Sequence, residues 1–565
     1  MNNDGEGLTY VVAGVLGLGL LLAALALGAG ALAALVGGGA LPRAGLLDAL
    51  GVFLHPGAPG VALRTARPLS APVYWACFAV ELVVVAGLGL LLARAIATRR
   101  RPGRRRRLAE RQRRGLASPA ELRRAYPEAD RGGLLVGRSR TGRAIRLPAE
   151  RSLGAIMAPR TGKSSSAVGH ILDAPGAVLA TSAKAELAEL TGALRAKRTG
   201  QPTYRYDPLG VCPDIGEVVR WNPIVGCEQP DVAMRRAEAL MAGTDTTNVS
   251  NGGFWKASGT MLLRCVLHAA ALEGASVTEA RRWVADPTDE DFTEILDRSE
   301  TAAGWLADAS LLSAQAGETL QSIALTTAVG LDCLALPEVA ELCSPAPGAA
   351  FDPGAWIRAG GTLHVVAPDA EAASVAPLTA AFVDEIVLAA RREAGRSPGG
   401  RLDPPLRLVL DELANIAPLP RIANYLSDGG GRGIQIAWYA QSRHQLVRRF
   451  SADGARVMLD ATSMLLVSGG LADAELLRDC AALVGEVEER DRTRSWGRNS
   501  AGYTEQLRHV PAMDPAAIFA LPAFSALALS GGLGATVVKL EPWWKRRDGA
   551  EIRRHATATT ATRGG

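Results

Sequence analysis

GAIMAPRTGKSSS, residues 154–166, lies between two apolar segments and ends in Gly-Lys-Ser. The apolar run before it is typical of a buried strand, and the apolar residues 167–172 after it continue as a predicted helix. Strand, loop and helix in this order, with Gly-Lys-Ser at the end of the loop, form the context of a phosphate-binding loop. The usual first glycine of that motif is replaced by Met157. The stretch therefore predicts an α/β fold with a nucleotide site at the end of a strand.

The chemistry of such a loop assigns a role to each position. Backbone N–H groups of the loop and of the first helical turn surround a β-phosphate. The Lys163 amine reaches the β- and γ-oxygens, the Ser164 hydroxyl binds Mg²⁺, and Gly162 permits close backbone approach. The predicted nucleotide-binding residues are Pro159, Arg160, Thr161, Gly162, Lys163, Ser164 and Ser165. In a chain with 62 glycines an exposed turn is the alternative, and Met157 leaves the rate of hydrolysis open.

A second stretch, LRLVLDELANI (residues 406–416), has the pattern of a buried strand that ends in two carboxylates. Asp411 is placed to hold Mg²⁺ through water, and Glu412 to polarise the attacking water. A solvated acidic strand end is the alternative for this stretch alone. Both motifs in one chain, each on a strand, favour an ATPase that uses ATP and Mg²⁺.

Two further residues complete the predicted catalytic set. Gln441 ends the apolar segment IQIAWYA, where a glutamine can sense or orient groups at the γ-phosphate. Arg432 lies in the glycine-rich stretch DGGGRGI, from which an arginine can reach the nucleotide of a neighbouring subunit. An ordinary turn arginine is the equal alternative for Arg432.

Other apolar segments indicate further strands of a parallel sheet. Residues 131–148 are typical of a hairpin, and strands are predicted at 176–182, 202–208, 361–368, 434–440 and 462–470. Between them, residues 229–343 have helical spacing and predict an all-helical insert. The expected organisation is an ATPase domain at 108–228 and 344–545, the insert at 229–343, and a disordered tail at 546–565, which has almost no apolar residues.

The N-terminal region predicts a membrane anchor. Two apolar stretches, about 10–36 and 73–98, are long enough to span a bilayer, and the acidic start of the chain argues against a signal peptide. An arginine cluster at 98–107 follows the second span and predicts that both termini are cytoplasmic. The anchor, residues 1–107, would place the protein in the bacterial plasma membrane. Glu81 is expected either to face another helix or to lie at the headgroups.

The composition of the chain limits the classes of protein to which it could belong. A chain of 565 residues is too long for one ordinary hydrophobic core, and 48% of its residues are hydrophobic. The net charge of +5 is too small for a DNA-coating protein. Seven widely spaced cysteines form no CxxC pair, which argues against a zinc cluster or a disulfide framework. They are predicted to be reduced core thiols.

With these motifs the chain resembles the TraG/TraD-type coupling proteins of conjugation and type IV secretion. The resemblance covers most of residues 154–544 and the two N-terminal spans. Its landmarks are GAIMAPRTGKSSS, TSAKAELAELTGALR, YRYDPLG, WNPI, FWKASGTMLL, LVLDELANIAPLPRIANYLSDGGGRGIQIAWYAQS, LLVSGGLADAELL and LEPWW. The stretch from Leu408 to Ser442 is the most specific landmark. Two features depart from the family pattern. Met157 replaces the first glycine of the loop, and TSAKAEL lacks the acidic residue and the proline often found before its lysine.

The resemblance implies a P-loop domain of RecA or ring-helicase type that assembles as a membrane-tethered hexamer. Lys163, Ser164, Asp411, Glu412 and Gln441 carry over as nucleotide-site residues. Such a protein is expected to feed a relaxase–DNA complex, or proteins, to the channel proteins of a secretion system. The alternatives are an ATP-dependent protein-export receptor without DNA contact and a double-strand DNA translocase of the chromosome-segregation type. DNA contact through Arg443, Arg448 and Arg449 is less favoured than a solvated helix face.

Overall fold

The computed structural model describes residues 4–37, 39–99, 114–127, 132–244, 251–300, 303–368, 370–497 and 500–561. The chain divides into two compact units, Met1–Arg106 and Arg107–Gly565. Residues 100–107 of the predicted arginine cluster lie outside the described residues.

The first unit consists mainly of two long helices, α1 (Asp4–Val36) and α3 (Ala71–Arg99), with the short helix α2 (Pro59–Ala62) between them. Residues Leu16–Val36 and Ala71–Leu91 have mean hydropathies of 2.3 and 2.0. Both helices are therefore long and apolar enough to cross a bilayer, in the places where the sequence predicts spans.

Glu81 of α3 lies against α1. A Cβ added to Gly28 of α1 would lie 2.7 Å from Glu81 Oε1, so glycine makes room for the carboxylate. Seven residues earlier on α3, the Tyr74 hydroxyl donates a hydrogen bond to the Ala26 carbonyl at 3.0 Å. The structure thus favours the first of the two interpretations of Glu81, a contact with another helix.

The second unit is built on one large sheet. Its strands, and the two of a separate ribbon, are β1 (Leu134–Arg138), β2 (Ala144–Leu147), β3 (Leu153–Ile156), β4 (Val178–Ser182), β5 (Thr203–Tyr206), β6 (Glu217–Val218), β7 (Thr362–Val366), β8 (Leu406–Leu410), β9 (Ile434–Ala440), β10 (Met464–Ser468), β11 (Glu486–Gly497), β12 (Ser500–Pro511), β13 (Ser525–Ser530) and β14 (Gly534–Lys539). The 12-stranded sheet has the order β2-β1-β14-β13-β10-β3-β9-β8-β4-β7-β5-β6, and β11 pairs only with β12.

Strand direction divides the sheet into two parts. From β10 to β6 every neighbouring pair is parallel. From β2 to β10 every pair is antiparallel. The α/β class with a large, mostly parallel sheet is therefore confirmed. The strands β13 and β14, which extend the sheet beyond β10, were not predicted.

The described part of the second unit also contains α-helices. They are α4 (Pro119–Ala125), α5 (Lys163–Leu172), α6 (Glu186–Thr199), α7 (Pro230–Ala242), α8 (Gly252–Glu273), α9 (Val277–Ala285), α10 (Glu290–Asp297), α11 (Ala303–Ser313), α12 (Gly317–Val329), α13 (Pro337–Leu342), α14 (Pro353–Ala359), α15 (Ala372–Arg396), α16 (Leu413–Ile416), α17 (Ile422–Asp428), α18 (Arg443–Asp460), α19 (Ala474–Val484), α20 (Pro515–Phe519) and α21 (Gly549–Ala561). Alternate residues of the strands supply two cores: Leu408 and Leu410 face one, and Val409 faces the other.

The stretch from Pro230 to Leu342 is helical throughout its regular elements in the part that the structure describes. It belongs to the same compact unit as the sheet. Its division from the ATPase domain as an insert stays a prediction.

Helix α15 is a third helix that length and composition would allow to span a membrane, with a mean hydropathy of 1.6. Most of it is buried inside the second unit, and Val375, Phe382 and Ile386 are fully buried there. Apolar residues around much of this helix are explained by burial in the core.

The prediction of a disordered tail at 546–565 is wrong for the described residues up to 561. Gly549–Ala561 forms helix α21, whose Ile552 is fully buried in a core cluster. Arg546 pairs with Asp173 at 2.7 Å, and Asp548 accepts a hydrogen bond from Arg198 at 2.9 Å. The segment has little apolar surface, so composition alone did not reveal that ion pairs and one isoleucine hold it in place.

Candidate nucleotide-binding site

The loop between β3 and α5 has a backbone that favours glycine at its end. Arg160 has a φ of 62° and Gly162 a φ of 115°, both in the left-handed region. A Cβ at Gly162 would lie 2.9 Å from Cδ1 of Phe524. Glycine is therefore required at position 162 by both conformation and space.

Met157 lies on the core side of this loop. Its side chain is fully buried, and its backbone N–H donates to the Ala440 carbonyl at 3.0 Å. It belongs to the core cluster that contains Ala167 and Ile171 of α5. Among the described residues, Met157 does not line the cavity. Methionine in place of the motif's usual glycine therefore affects the packing beneath the loop.

The order of the sheet brings the second motif to this loop. Strand β9 lies between β3 and β8, with Ile156 opposite Ala440 and Leu410 opposite Trp438. The three strands are parallel, so the residues that follow them meet at one edge of the sheet. Gln441 follows β9, and Asp411 and Glu412 follow β8.

Four predicted residues make direct contacts at this edge. The Lys163 ammonium forms ion pairs with the Glu412 carboxylate and with Asp411, 3.3 Å from its Oδ1. Gln441 Nε2 donates a hydrogen bond to Glu412 Oε1 at 2.7 Å. The carboxylate of Glu412 thus connects the residues that follow β3, β8 and β9.

Burial and charge act against each other in this cluster. Burial raises the pKa of Asp411 to about 6; Lys163 opposes the rise and Glu412 adds to it. For Lys163, burial alone would lower the pKa, but Asp411 and Glu412 outweigh it and the pKa is raised. The amine therefore stays protonated at neutral pH and is available to an anion.

Glu412 is held in an unusual conformation. Its φ of 52° and ψ of 43° lie in the left-handed region, which costs free energy for a side chain with a Cβ. Its Oε2 is buried without a hydrogen-bond partner among the described residues. A buried carboxylate oxygen of this kind needs a partner such as water or a cation.

These residues surround a cavity of about 540 Å³. Predicted residues in its lining are Pro159, Arg160, Gly162, Lys163, Ser164, Ser165, Asp411, Glu412 and Gln441. The hydroxyl-bearing Thr161 lies in the loop but outside the lining, and its Oγ1 donates to the Ala158 carbonyl at 2.6 Å.

The cavity also has an aromatic wall that was not predicted as part of the site. It is lined by Phe524, Trp543 and Trp544. The Trp544 ring meets Phe524 and Trp543 edge-on, at centroid distances of 5.5 and 5.7 Å. The backbone N–H of Trp543 donates to Ser165 Oγ at 2.5 Å, which connects this wall to helix α5. The only sequence signal was LEPWW, a family landmark without an assigned role.

The donor set fits a magnesium ion bound together with a nucleotide. Asp411 and Glu412 supply carboxylate oxygens, and Ser164, exposed on the first turn of α5, supplies a hydroxyl. Mg²⁺ prefers such oxygen ligands and usually takes the rest from phosphates and water. No group of three or more His, Cys, Asp or Glu side chains with metal-binding geometry occurs in the described ranges.

Arg432 is not brought to the cavity of its own chain. It lies in the turn before β9, where its Nε pairs with Asp428 at 2.8 Å. Its side chain is 38% exposed. This contact fits the alternative of an ordinary turn arginine, and action of Arg432 on another subunit stays a prediction.

Two of the arginines considered for DNA contact on α18 have protein partners. Arg443 forms ion pairs with Glu475 at 2.7 Å and with Asp479 at 3.3 Å. Arg449 donates to the carbonyls of Ala414 and Gly243 at 2.9 and 2.8 Å. These contacts join α18 to neighbouring elements.

Comparison with known proteins supports the resemblance. Residues 405–523 match a family described as the TraM recognition site of TraD and TraG. No curated protein sequence matches the chain. The conjugative coupling protein TrwB in its unbound monoclinic form has a TM-score of 0.57 at 21% identity, over 75% of this chain and 91% of TrwB.

Two nucleotide complexes of TrwB are similar as well. The complex with the ATP analogue ADPNP has a TM-score of 0.57, and the complex with ADP and Mg²⁺ one of 0.55. Each is 20% identical and covers 76% of this chain and 93% of the TrwB chain. At this identity the likeness shows the fold. Together with the family match, it confirms the resemblance to TraG/TraD-type coupling proteins.

Proposed function

We infer that this chain, a TraG/TraD-type coupling protein by its family match and fold, is a membrane-anchored ATPase of RecA or ring-helicase type. It recruits a relaxase–DNA or protein substrate and drives it into a type IV secretion or conjugation channel. The observation that carries the proposal is the meeting of Lys163, Asp411, Glu412 and Gln441 in one cavity beyond three adjacent parallel strands.

Binding of ATP begins with the phosphates at the loop. Backbone N–H groups of residues 159–165 and the N-terminus of α5 favour the negative charge of the phosphates. The raised pKa of Lys163 keeps its ammonium charged, so phosphate oxygens can compete for it with Asp411 and Glu412. A base or ribose would lie against the aromatic wall of Phe524, Trp543 and Trp544.

Hydrolysis requires a group that takes a proton from water near the γ-phosphate. Glu412 has this role, because its carboxylate lies in the cavity and Gln441 fixes one of its oxygens. Asp411 and Ser164 would hold Mg²⁺, which when bound neutralises charge on the β- and γ-oxygens. The hydrogen bond from Gln441 connects strand β9 to the reacting end of the nucleotide.

Coupling to transport follows from the assembly. We propose a hexamer tethered beneath the membrane, in which hydrolysis at one subunit moves cargo through the ring. Arg432 would reach the nucleotide of a neighbouring subunit from its exposed turn. The relatives of known structure are named as conjugative coupling proteins, which favours conjugation among the possible export routes.

The proposal is tested by ATP turnover and plasmid transfer of two variants. Lys163→Ala and Glu412→Gln are each expected to lower turnover about 100-fold or more, since the first removes phosphate binding and the second the proton acceptor. Glu412→Gln should still bind ATP. Lys539→Ala, an exposed lysine outside the cavity, is the matched control and should turn over ATP normally. Unchanged turnover in Lys163→Ala would remove the motor function.

A further inference from the structure

Glu412, the proposed proton acceptor, is followed directly by a helix of a single turn. Helix α16 (Leu413–Ile416) begins at the Glu412 carbonyl, which accepts hydrogen bonds from the N–H groups of Asn415 and Ile416 at 2.9 and 3.0 Å. A single turn has too few internal hydrogen bonds to be stable by itself, so contacts with other elements must hold it. The position of the Glu412 backbone therefore depends on what fixes α16.

Side chains from two longer helices bind the carbonyls of α16. Arg449 of α18 donates from Nε to the Ala414 carbonyl at 2.9 Å. Thr379 of α15 donates from its hydroxyl to the Ile416 carbonyl. Ala414 and Ile416 are buried, and the last carbonyls of a helix have no partner within the helix. The two side chains therefore supply hydrogen bonds that α16 cannot supply itself.

Arg449 also contacts the end of helix α7. Its Nη1 donates to the carbonyl of Gly243, the residue that follows α7, at 2.8 Å. A Cβ at Gly243 would lie 2.3 Å from the backbone nitrogen of Pro377 in α15, so this end of α7 packs directly on α15. Arg449 thus connects the turn after Glu412 to a place where two other helices are in close contact.

Charged and polar groups fix α7 to the helices around it. Arg235 of α7 pairs with Asp384 of α15 at 3.2 Å and donates to the Tyr425 hydroxyl of α17 at 2.8 Å. The Tyr425 hydroxyl also donates to Asp384. Asp384 and Tyr425 are buried, where such bonds are stronger than in water. The Gly243 carbonyl at the end of α7 is therefore a fixed point to which Arg449 is bonded.

The backbone of Glu412 needs support of this kind because it is strained. Its φ of 52° and ψ of 43° lie in the left-handed region, where a residue with a Cβ stays only if neighbouring contacts hold it. If α16 were free to move, Glu412 would relax to an ordinary conformation. Its carboxylate would then leave Lys163 and Gln441, which it contacts in the cavity.

We propose that Arg449 is a positioning residue for ATP hydrolysis. It holds α16 against the end of α7 and thereby keeps the Glu412 carboxylate where the attacking water is activated. The inference rests on the proposed function, since it concerns the residue that is proposed to accept the proton. Arg449 is not among the described residues that line the nucleotide cavity, so it acts through Glu412 and not on the nucleotide.

The test compares Arg449→Met with Arg456→Met in the full-length protein in detergent. Methionine keeps an unbranched side chain but has no donor, and Arg456 is an exposed arginine of the same helix outside the cavity lining. Steady-state ATP turnover and the Kd for a non-hydrolysable ATP analogue are measured. The midpoint of thermal unfolding shows that each protein is folded at the assay temperature. Each variant is also made in a Glu412→Gln background.

Arg449→Met is expected to lower kcat about 10- to 100-fold, because a small displacement of a reacting group has effects of this size. The Kd for the analogue should change by less than about threefold, since the phosphate-binding loop follows a different strand. In the Glu412→Gln background, Arg449→Met should not lower the residual turnover further, because the residue through which it acts is already inactive. Arg456→Met should have the kcat of the wild type.

Arg449→Lys is the second variant, for the case that Arg449→Met does not fold. It keeps the charge at this position but lacks the planar fork of donors with which Arg449 reaches two carbonyls. It is expected to lower kcat about threefold or more, with the same Kd for the analogue as the wild type.

A wild-type kcat in Arg449→Met or Arg449→Lys would overturn the proposal. So would an equal loss of turnover with and without the Glu412 carboxylate, which would assign Arg449 to general stability. A loss explained by weaker binding of the analogue would overturn it as well. In these three cases turnover by the wild type leaves the proposed ATPase standing. Absent turnover in the wild type would contradict the proposed function and this inference together.

Discussion

At the scale of single residues, Met157 contributes to the packing of the core and does not line the candidate nucleotide cavity. The sequence leaves open whether a methionine at the first loop position impairs the site. In the structure its side chain fills the core beneath α5, and its backbone continues the pairing of β3 with β9. The loop conformation depends on Arg160 and Gly162 instead, which have the positive φ values.

Restoring the usual glycine at position 157 is therefore expected to weaken the fold without improving the site. Met157→Gly removes a fully buried side chain and should lower the free energy of unfolding by about 2–5 kcal/mol. ATP turnover should not rise. Denaturant unfolding and turnover of the same preparation measure both effects, with the exposed Met234→Ala as a control for methionine loss. A clear gain in turnover would show that Met157 restricts the loop.

The charged residues of the site were predictable because their signals are local. Lys163 follows Gly162 directly, and Asp411 and Glu412 end an apolar strand. The positive φ of Glu412 and its contact with Gln441 were not predictable, because they depend on the order of three strands.

At the scale of elements, the segment after β14 lines the candidate nucleotide cavity. Trp543 and Trp544 line it, and the backbone N–H of Trp543 donates a hydrogen bond to Ser165 of α5. Arg546 then pairs with Asp173 at the end of α5. The same segment therefore contacts both ends of the helix that follows the phosphate-binding loop.

Loss of the Trp544 ring is expected to weaken nucleotide binding. Stacking of a base on an aromatic ring is worth about 1–3 kcal/mol, so Trp544→Ala should raise the Kd for ATP about tenfold. Trp544→Phe should restore most of the affinity. Calorimetric titration in a Glu412→Gln background measures binding without turnover. Phe519→Ala, an exposed aromatic outside the cavity, should bind as the parent does; equal affinities for all four proteins would contradict the role of the wall.

Two of the elements that sequence patterns missed have mostly polar residues. The ribbon β11–β12 and helix α21 have few apolar residues, so their periodicity gives little signal. Contacts between residues distant in sequence hold both elements in place. The ribbon has a register of twelve residue pairs. At helix α21, Asp548 and Glu551 form ion pairs with residues of α6.

At the scale of the whole molecule, the two compact units have different surfaces. In the first unit α1 and α3 expose many apolar side chains, such as Leu35, Val83 and Leu91, as expected of helices surrounded by lipid. In the second unit α15 is as long but is buried in the protein. By length and mean hydropathy all three helices could span a membrane, but only α15 has most of its residues buried in the protein.

The membrane topology is expected to have both termini in the cytoplasm. Arginines that follow the second span favour this orientation. Alkaline phosphatase, active only outside the cytoplasm, should be active when fused after Leu54 in the loop between α1 and α3 and inactive when fused after Ala561. Equal expression of both fusions is the control. The reverse activities would contradict the predicted orientation.

The sequence by itself determined the local features of this protein: apolar helices long enough to span a membrane, strands with buried patterns, a Gly-Lys-Ser loop after a strand and a pair of carboxylates. These depend on neighbouring residues, and the periodicity of side chains records them. Only the tertiary structure decided that β9 separates β3 from β8, that Trp543 and Trp544 line the cavity, and that β11 and β12 form a separate ribbon. Such contacts join residues far apart in the chain, and their free energy arises from pairing and burial that no local pattern contains.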